Sequence, residues 1–238
     1  MKRGRASLTA TAVAWARGIG NEASAPDPTA SRFLPDPVGR LARVPPRGAR
    51  LLTRVASCGL VDHVNLRTRA IDTATGRAFE RGCTQLVVLG AGLDGRAWRL
   101  QGLQGVDVFE VDHPDTQAMK MQRASADDSE AARIVFVAVD FERQSLRERL
   151  GEAGHDPKRP TAWIWEGVTP YLPPKAIELT LADLAERSAP GSRLAMTYAA
   201  PPLVPLAWPP LLRSARAAFA LLGEPILGAM PPDQAEAM

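Results

Sequence analysis

The sequence predicts an α/β fold, a mainly parallel sheet preceded by a helical region, and three observations carry that prediction. Five short apolar, partly β-branched runs succeed one another from residue 85: "QLVVLG", "VDVFEVD", "RIVFVAVD", "TAWIWEG" and "SRLAMTY". Segments of helical character separate them, and strand alternating with helix is the signature of βαβ units whose sheet is covered on both faces. Upstream of residue 80, helical periodicity occurs without strands.

Taken in order, Leu8, Ala12, Trp15 and Ala16 recur at helical spacing and predict an amphipathic helix over residues 8–17. The basic cluster Lys2, Arg3 and Arg5 with "ASLTATAVAWA" also matches the opening of a secretory leader, but Thr9, Thr11 and Arg17 interrupt the apolar run, so the helix is the preferred reading. "APDPTASRFLPDPVGRLARVPPRG" reads as a Pro-rich link, and a second periodic stretch runs from about Ala49 to Phe79. Between the strands, "PDTQAMKMQRASA" and "PKAIELTLADLAERSA" are helix sequences with Pro near the expected first turn, the second stopped by "APGS". The expected organisation is a helical cap over residues 1–80, a sheet-bearing core over 81–200 and a Pro-rich tail with one amphipathic helix over 201–238.

Composition narrows the function classes. The 45% hydrophobic and 23% charged content is that of an ordinary globular chain, and no apolar run reaches the roughly 18 residues that span a bilayer. The 29 basic and 26 acidic residues are interspersed, so no basic stripe points to nucleic acid. Cys58 and Cys83 form no CxxC, and His63, His113 and His155 are isolated, which provides no metal-ligand spacing and fits a reducing, cytoplasmic setting. No segment carries a signature of oligomeric state.

In open α/β sheets ligands bind beyond the carboxyl ends of the strands, so those ends are read together. They present Gly90, Gly92, Asp94 and Gly95, then Glu110 and Asp112, then Asp140, then Glu166. Acidic groups at four strand ends are costly to desolvate without partners, which suggests a shared polar ligand. Gly90, Gly92 and Gly95 satisfy GxGxxG, with Asp112 about 20 residues on, the pattern of an NAD-dependent oxidoreductase. Bulky Arg96 and Trp98 sit where that pattern prefers small residues. The other ligand these residues suit is S-adenosylmethionine, which needs a glycine turn, an acid for the ribose diol and polar groups for its amino-acid end. Asp112 can accept both ribose hydroxyls, and a carboxylate such as Glu166 suits an ammonium or sulfonium.

Several ordered motifs then add a resemblance. "LGAGLDGRAWRL", "FEVDHPDTQAMKMQR", "VAVDFE" and "WEGVTPYLPPKAI", with "SLTATAVAWARG" and "LRTRAID" upstream and "APGSRLAMTY" downstream, resemble the successive motifs of the leucine carboxyl methyltransferase-like family across most of residues 7–200. The resemblance implies a Rossmann-like class I methyltransferase sheet, S-adenosyl-L-methionine as cofactor and a small-molecule acceptor methylated on a carboxylate or hydroxyl oxygen. It implies that Arg67, or neighbouring Arg69, pairs with the methionine carboxylate. Gly90 lets the backbone approach the cofactor, Asp112 binds its ribose, Asp140 and Phe141 flank adenine, and Glu166 contacts the amino-acid end. A carboxylate acceptor needs no general base; for a hydroxyl, His113, Glu166 and Tyr171 lie nearest, and none is assigned a catalytic role. The turn reads Asp94-Gly95-Arg96 where the family has Asp-Thr-Arg. "GEPILGAMPPDQAEAM" resembles the approach to a late helix, so the last strands are expected to be absent, and a non-catalytic remnant of the fold is a third reading.

Overall fold

The computed structural model describes residues 8–20, 27–36, 38–43, 48–57, 59–124, 129–141 and 143–198. The expected tail after residue 200, Cys58 and the basic cluster at residues 2–5 lie outside them. Among the described residues, five helices precede the first strand: α1 (Leu8–Ile19), α2 (Pro28–Phe33), α3 (Val38–Arg43), α4 (Ala49–Ala56) and α5 (Leu60–Glu80).

Two local features correct the sequence reading. The Pro-rich link contains α2 and α3, because Asp27 caps α2 by accepting the Thr29 and Ala30 N–H groups at 2.9 and 3.2 Å and Pro28 suits the first helical position. Phe33, Leu34 and Ala42 are buried there with Ala14 of α1 and Leu93. Burying a residue of Phe or Leu size contributes about 1.5–3 kcal/mol, enough to hold helices too short to persist alone. The periodic stretch from Ala49 to Phe79 is split into α4, capped by Ser57, and α5, which starts after Gly59 with its φ of 83°.

Strand and helix then alternate: β1 (Gln85–Leu89), α6 (Arg96–Arg99), β2 (Asp107–Asp112), α7 (Pro114–Met121), β3 (Arg133–Ala138), α8 (Leu146–Glu152), β4 (Thr161–Trp165), α9 (Pro174–Glu186) and β5 (Arg193–Met196). The strands form one parallel sheet in the order β3-β2-β1-β4-β5. The chain runs outward from β1 through β2 and β3, then returns to β1's other side for β4 and β5. That reversal opens a crevice at the carboxyl ends of β1 and β4.

Alternation along the strands covers both faces. Val87, Leu89, Phe109, Val111, Trp163 and Trp165 pack with Leu146 and Leu150 of α8 and Ile177 and Leu184 of α9. Leu86, Val88, Val108 and Ile164 pack with Ile71 and Ala78 of α5 and Ala97 of α6. Register aligns the strand ends: Leu89 lies opposite Val111 on one side and Trp165 on the other. One residue further, that row continues with Gly90, Asp112 and Glu166.

Candidate functional site

Beyond β1 the chain turns on Gly90 and Gly92, with φ values of 65° and 49° that side chains with a Cβ rarely adopt. A Cβ at Gly90 would lie 2.2 Å from Val168 Cγ2, so the missing side chain lets the segment after β4 close against the turn. The Gly92 N–H donates to Asp112 Oδ2, and the His113 N–H donates to Oδ1 at 2.6 Å. Burial pushes the Asp112 pKa up, and these two N–H groups oppose that rise. Each Asp112 oxygen takes one backbone hydrogen and retains acceptor capacity for a second donor.

The third glycine of the GxGxxG pattern has a different reason. A Cβ at Gly95 would lie 1.8 Å from Thr29 Oγ1, so the position is filled by α2 of the cap. The next helix, α6, has four residues, and its leading Arg96 N–H already donates to Asp94 Oδ1 at 2.7 Å. A dinucleotide site needs free N–H groups at a helix start facing the pyrophosphate, and here a carboxylate occupies that start. The oxidoreductase reading of the glycines does not fit this turn.

A network of arginines and carboxylates joins the helices before β1 to the segments that follow β1 and β4. Glu166 Oε1 receives Arg67 Nε at 2.8 Å and Arg17 Nη2 at 2.9 Å, while Oε2 receives Arg96 Nη1 at 2.7 Å. Burial alone would push the Glu166 pKa up, but the guanidinium groups of Arg96, Arg17 and Arg67 bring it down to about 2. Asp94 is also buried, and Arg96, Arg17 and Arg99 hold it well below the usual carboxylate range. Arg96 reaches Asp72 at 2.6 Å, and Arg99 joins Asp72 at 2.6 Å and Asp27 at 2.7 Å. A bulky arginine at position 96 is therefore accommodated by three carboxylates, Asp72, Asp94 and Glu166.

Arg67, Gly90, Asp112, Asp140, Phe141 and Glu166 all line one cleft of about 770 Å³. The expected site residues are thus brought together, and of the two neighbouring arginines Arg67, not exposed Arg69, faces the cleft. Arg67 is partnered by Glu166, so the two residues implied at the amino-acid end of the ligand hold each other. His113 and Tyr171 also line the cleft. Glu110, read among the strand-end acids, is not part of the lining. It forms a buried pair with Lys120 of α7 at 2.6 Å, and burial pushes its pKa up to about 7 against the attraction of that lysine. Lys120 Nζ lies 5.2 Å from the ring centres of both Phe33 and Trp98, a cation–π arrangement that ties α7 to the cap.

Sequence reasoning missed Arg17, Asp72 and Lys120 as parts of this assembly. The one signal for Arg17 was a lone arginine interrupting an apolar helical face. Among the described residues no group of His, Cys, Asp and Glu could hold a metal ion, and no helix is long and apolar enough to cross a membrane.

Comparison with known proteins bears on the fold and the family. A crystal structure of a candidate methyltransferase from Thermobifida fusca superimposes with a TM-score of 0.55 at 18% identity, covering 99% of this chain and 80% of that one, which shows a shared class I methyltransferase fold. A candidate S-adenosyl-L-methionine-dependent methyltransferase of Streptomyces coelicolor is 41% identical over 137 residues, which is 56% of this chain and 47% of that protein. A protein of the same description from Mycolicibacterium smegmatis is 39% identical over 206 residues, 79% of this chain and 65% of its own length. The chain spans about half to two thirds of the length of these curated relatives. The sequence profile described as leucine carboxyl methyltransferase matches residues 6–185, a stretch that contains every residue brought to the cleft; the chain belongs to the leucine carboxyl methyltransferase family.

Proposed function

We propose that the cleft binds S-adenosyl-L-methionine and that the chain acts as a methyltransferase toward an oxygen, carboxylate or hydroxyl, of a small-molecule acceptor. The observation that carries the reading is Asp112, half-buried at the end of β2 with one acceptor site per oxygen used by backbone and one left for a ribose hydroxyl. Both hydroxyls of a ribose diol match that spacing of acceptors. Asp140 and Phe141, two and three residues past the end of β3, would flank the adenine. Arg67 and Glu166 would take the carboxylate and ammonium of the amino-acid end, exchanging their mutual pair for two equivalent ones.

When bound, S-adenosyl-L-methionine supplies an electrophilic methyl group for in-line transfer to the acceptor. The chain's own contribution is to hold the two reactants in line and exclude water, and orientation of this kind lowers a barrier by about 7–11 kcal/mol. No side chain is assigned as a base, because a carboxylate acceptor needs none. In this reading residues 1–80 form a cap, residues 81–200 bind the cofactor, and the buried free thiol of Cys83 fits a reducing cytoplasmic setting.

Calorimetric titration with S-adenosylhomocysteine tests the proposal, with NAD in parallel and Asp112→Ala as control. Saturable binding of the first ligand, weakened about ten-fold or more in the variant, is expected, as removal of a charged hydrogen-bond acceptor costs of order 1.5–3 kcal/mol. Binding of NAD alone would overturn the proposal, and silence with both ligands would remove its support.

A further inference from the structure

Arg17 belongs to helix α1 of the cap, yet its side chain, 6% exposed, lines the cleft. It makes three directed contacts: Nε donates to Thr68 Oγ1 at 3.1 Å, Nη1 meets Asp94 Oδ2 at 3.1 Å, and Nη2 meets Glu166 Oε1 at 2.9 Å. A planar guanidinium can serve a hydroxyl and two carboxylates in fixed directions at once; an ammonium acts as a point charge.

The two oxygens of Glu166 are divided unequally. Oε2 is held by Arg96, whose side chain is fully buried, while Oε1 is shared by Arg17 and Arg67. Of those two, Arg67 is the more exposed at 20%, whereas Arg17 is anchored by Asp94 and Thr68 as well as Glu166. If a ligand carboxylate draws Arg67 away from Glu166, Arg17 is the cleft-lining partner of Glu166 that stays.

We propose that Arg17 is a positioning residue of the ligand site: it keeps Glu166 aimed when Arg67 turns to the carboxylate of an amino-acid ligand, leaving Glu166 Oε1 for that ligand's ammonium. This rests on the proposed cofactor and extends its site from Arg67 of α5 to α1, which becomes part of the recognition of a zwitterion. Across the network, Arg17, Arg67, Arg96 and Arg99 face Asp27, Asp72, Asp94 and Glu166. These charges balance, so a zwitterionic group enters without leaving a net charge uncompensated.

The test compares S-adenosylhomocysteine with 5′-methylthioadenosine, which shares the nucleoside and thioether but lacks the amino-acid end. Wild-type protein and Arg17→Ala, Arg17→Lys and Thr68→Val are titrated with each ligand. Arg17→Ala is expected to weaken S-adenosylhomocysteine about ten-fold or more and to leave methylthioadenosine within about two-fold. Arg17→Lys recovers only part of the loss, because it restores charge without the fork. Thr68→Val removes the hydroxyl that orients Arg17 from outside the cleft and shifts the same ligand in the same direction by a smaller factor, without deleting a buried charge. Equal weakening of both ligands would reduce Arg17 to a cap anchor, and unchanged S-adenosylhomocysteine binding in Arg17→Ala and Thr68→Val would remove it from the site; either overturns the proposal. Wild-type protein that binds neither ligand would instead sink the cofactor reading on which it rests.

Discussion

Position 95 shows how one absent Cβ links the glycine turn to the cap. Thr29 Oγ1 would stand 1.8 Å and Thr29 Cβ 2.6 Å from a Cβ placed there, and Thr29 is held by its bonds to Asp27 at the start of α2. Neither neighbour is the end of a flexible chain, so Gly95→Ala is expected to destabilise the protein by about 1–3 kcal/mol, the usual cost of overpacking. The penalty should shrink in a Thr29→Gly background, a coupling that urea denaturation of the two single variants and the double variant measures. Equal stability of Gly95→Ala and wild type would mean that α2 does not rest on the turn. The same observation explains the departure from the family's Asp-Thr-Arg turn: the space a threonine side chain would need at position 95 is taken by Thr29.

Among the helices and strands, the sequence was most legible where periodicity and punctuation agreed. The five apolar runs are the five strands, and α7 and α9 begin at the prolines that suit a first helical turn. Acidic residues at the ends of β2 and β4 and the glycines after β1 were readable as a site because parallel register aligns strand ends. α2 and α3 were not readable, since six-residue helices carry too few turns to show a period and their prolines imitate a link. Nor was the arginine–carboxylate network, whose members are spread from Arg17 to Glu166 along the chain and meet only in the folded protein. Charge alone marked Arg17 as an interruption; three-dimensional pairing makes it a junction. The burial of Lys120 was equally hidden, as only the arrival of Glu110, Phe33 and Trp98 makes its position tolerable.

Across the whole molecule, buried titratable groups with arginine or lysine partners set the response to acid. His155, buried against Arg187 near the amino ends of the strands, has its pKa pushed by burial from 6.5 down to about 4. Glu166 lies at about 2 against an ordinary 4.5. In both cases the unfolded chain takes up protons first, so stability is at its full value above the ordinary pKa and is lost as pH falls toward the folded one. Glu110, its pKa raised to about 7, acts in the opposite sense between about pH 7 and 4.5 and offsets His155, so urea midpoints are expected to fall mainly from about pH 4.5 to 2 through Glu166, with that fall reduced in Glu166→Gln. A midpoint that stays level to pH 3 would contradict the pairing described. Whether strand ends, glycine turn and cap together form an S-adenosyl-L-methionine site is decided by a crystal structure of the protein with S-adenosylhomocysteine. The expected complex has the ribose hydroxyls on Asp112, the adenine between Asp140 and Phe141, and the amino-acid end among Arg67, Glu166 and Arg17; a ligand bound away from Asp112, or with its amino-acid end turned from Glu166, would contradict it.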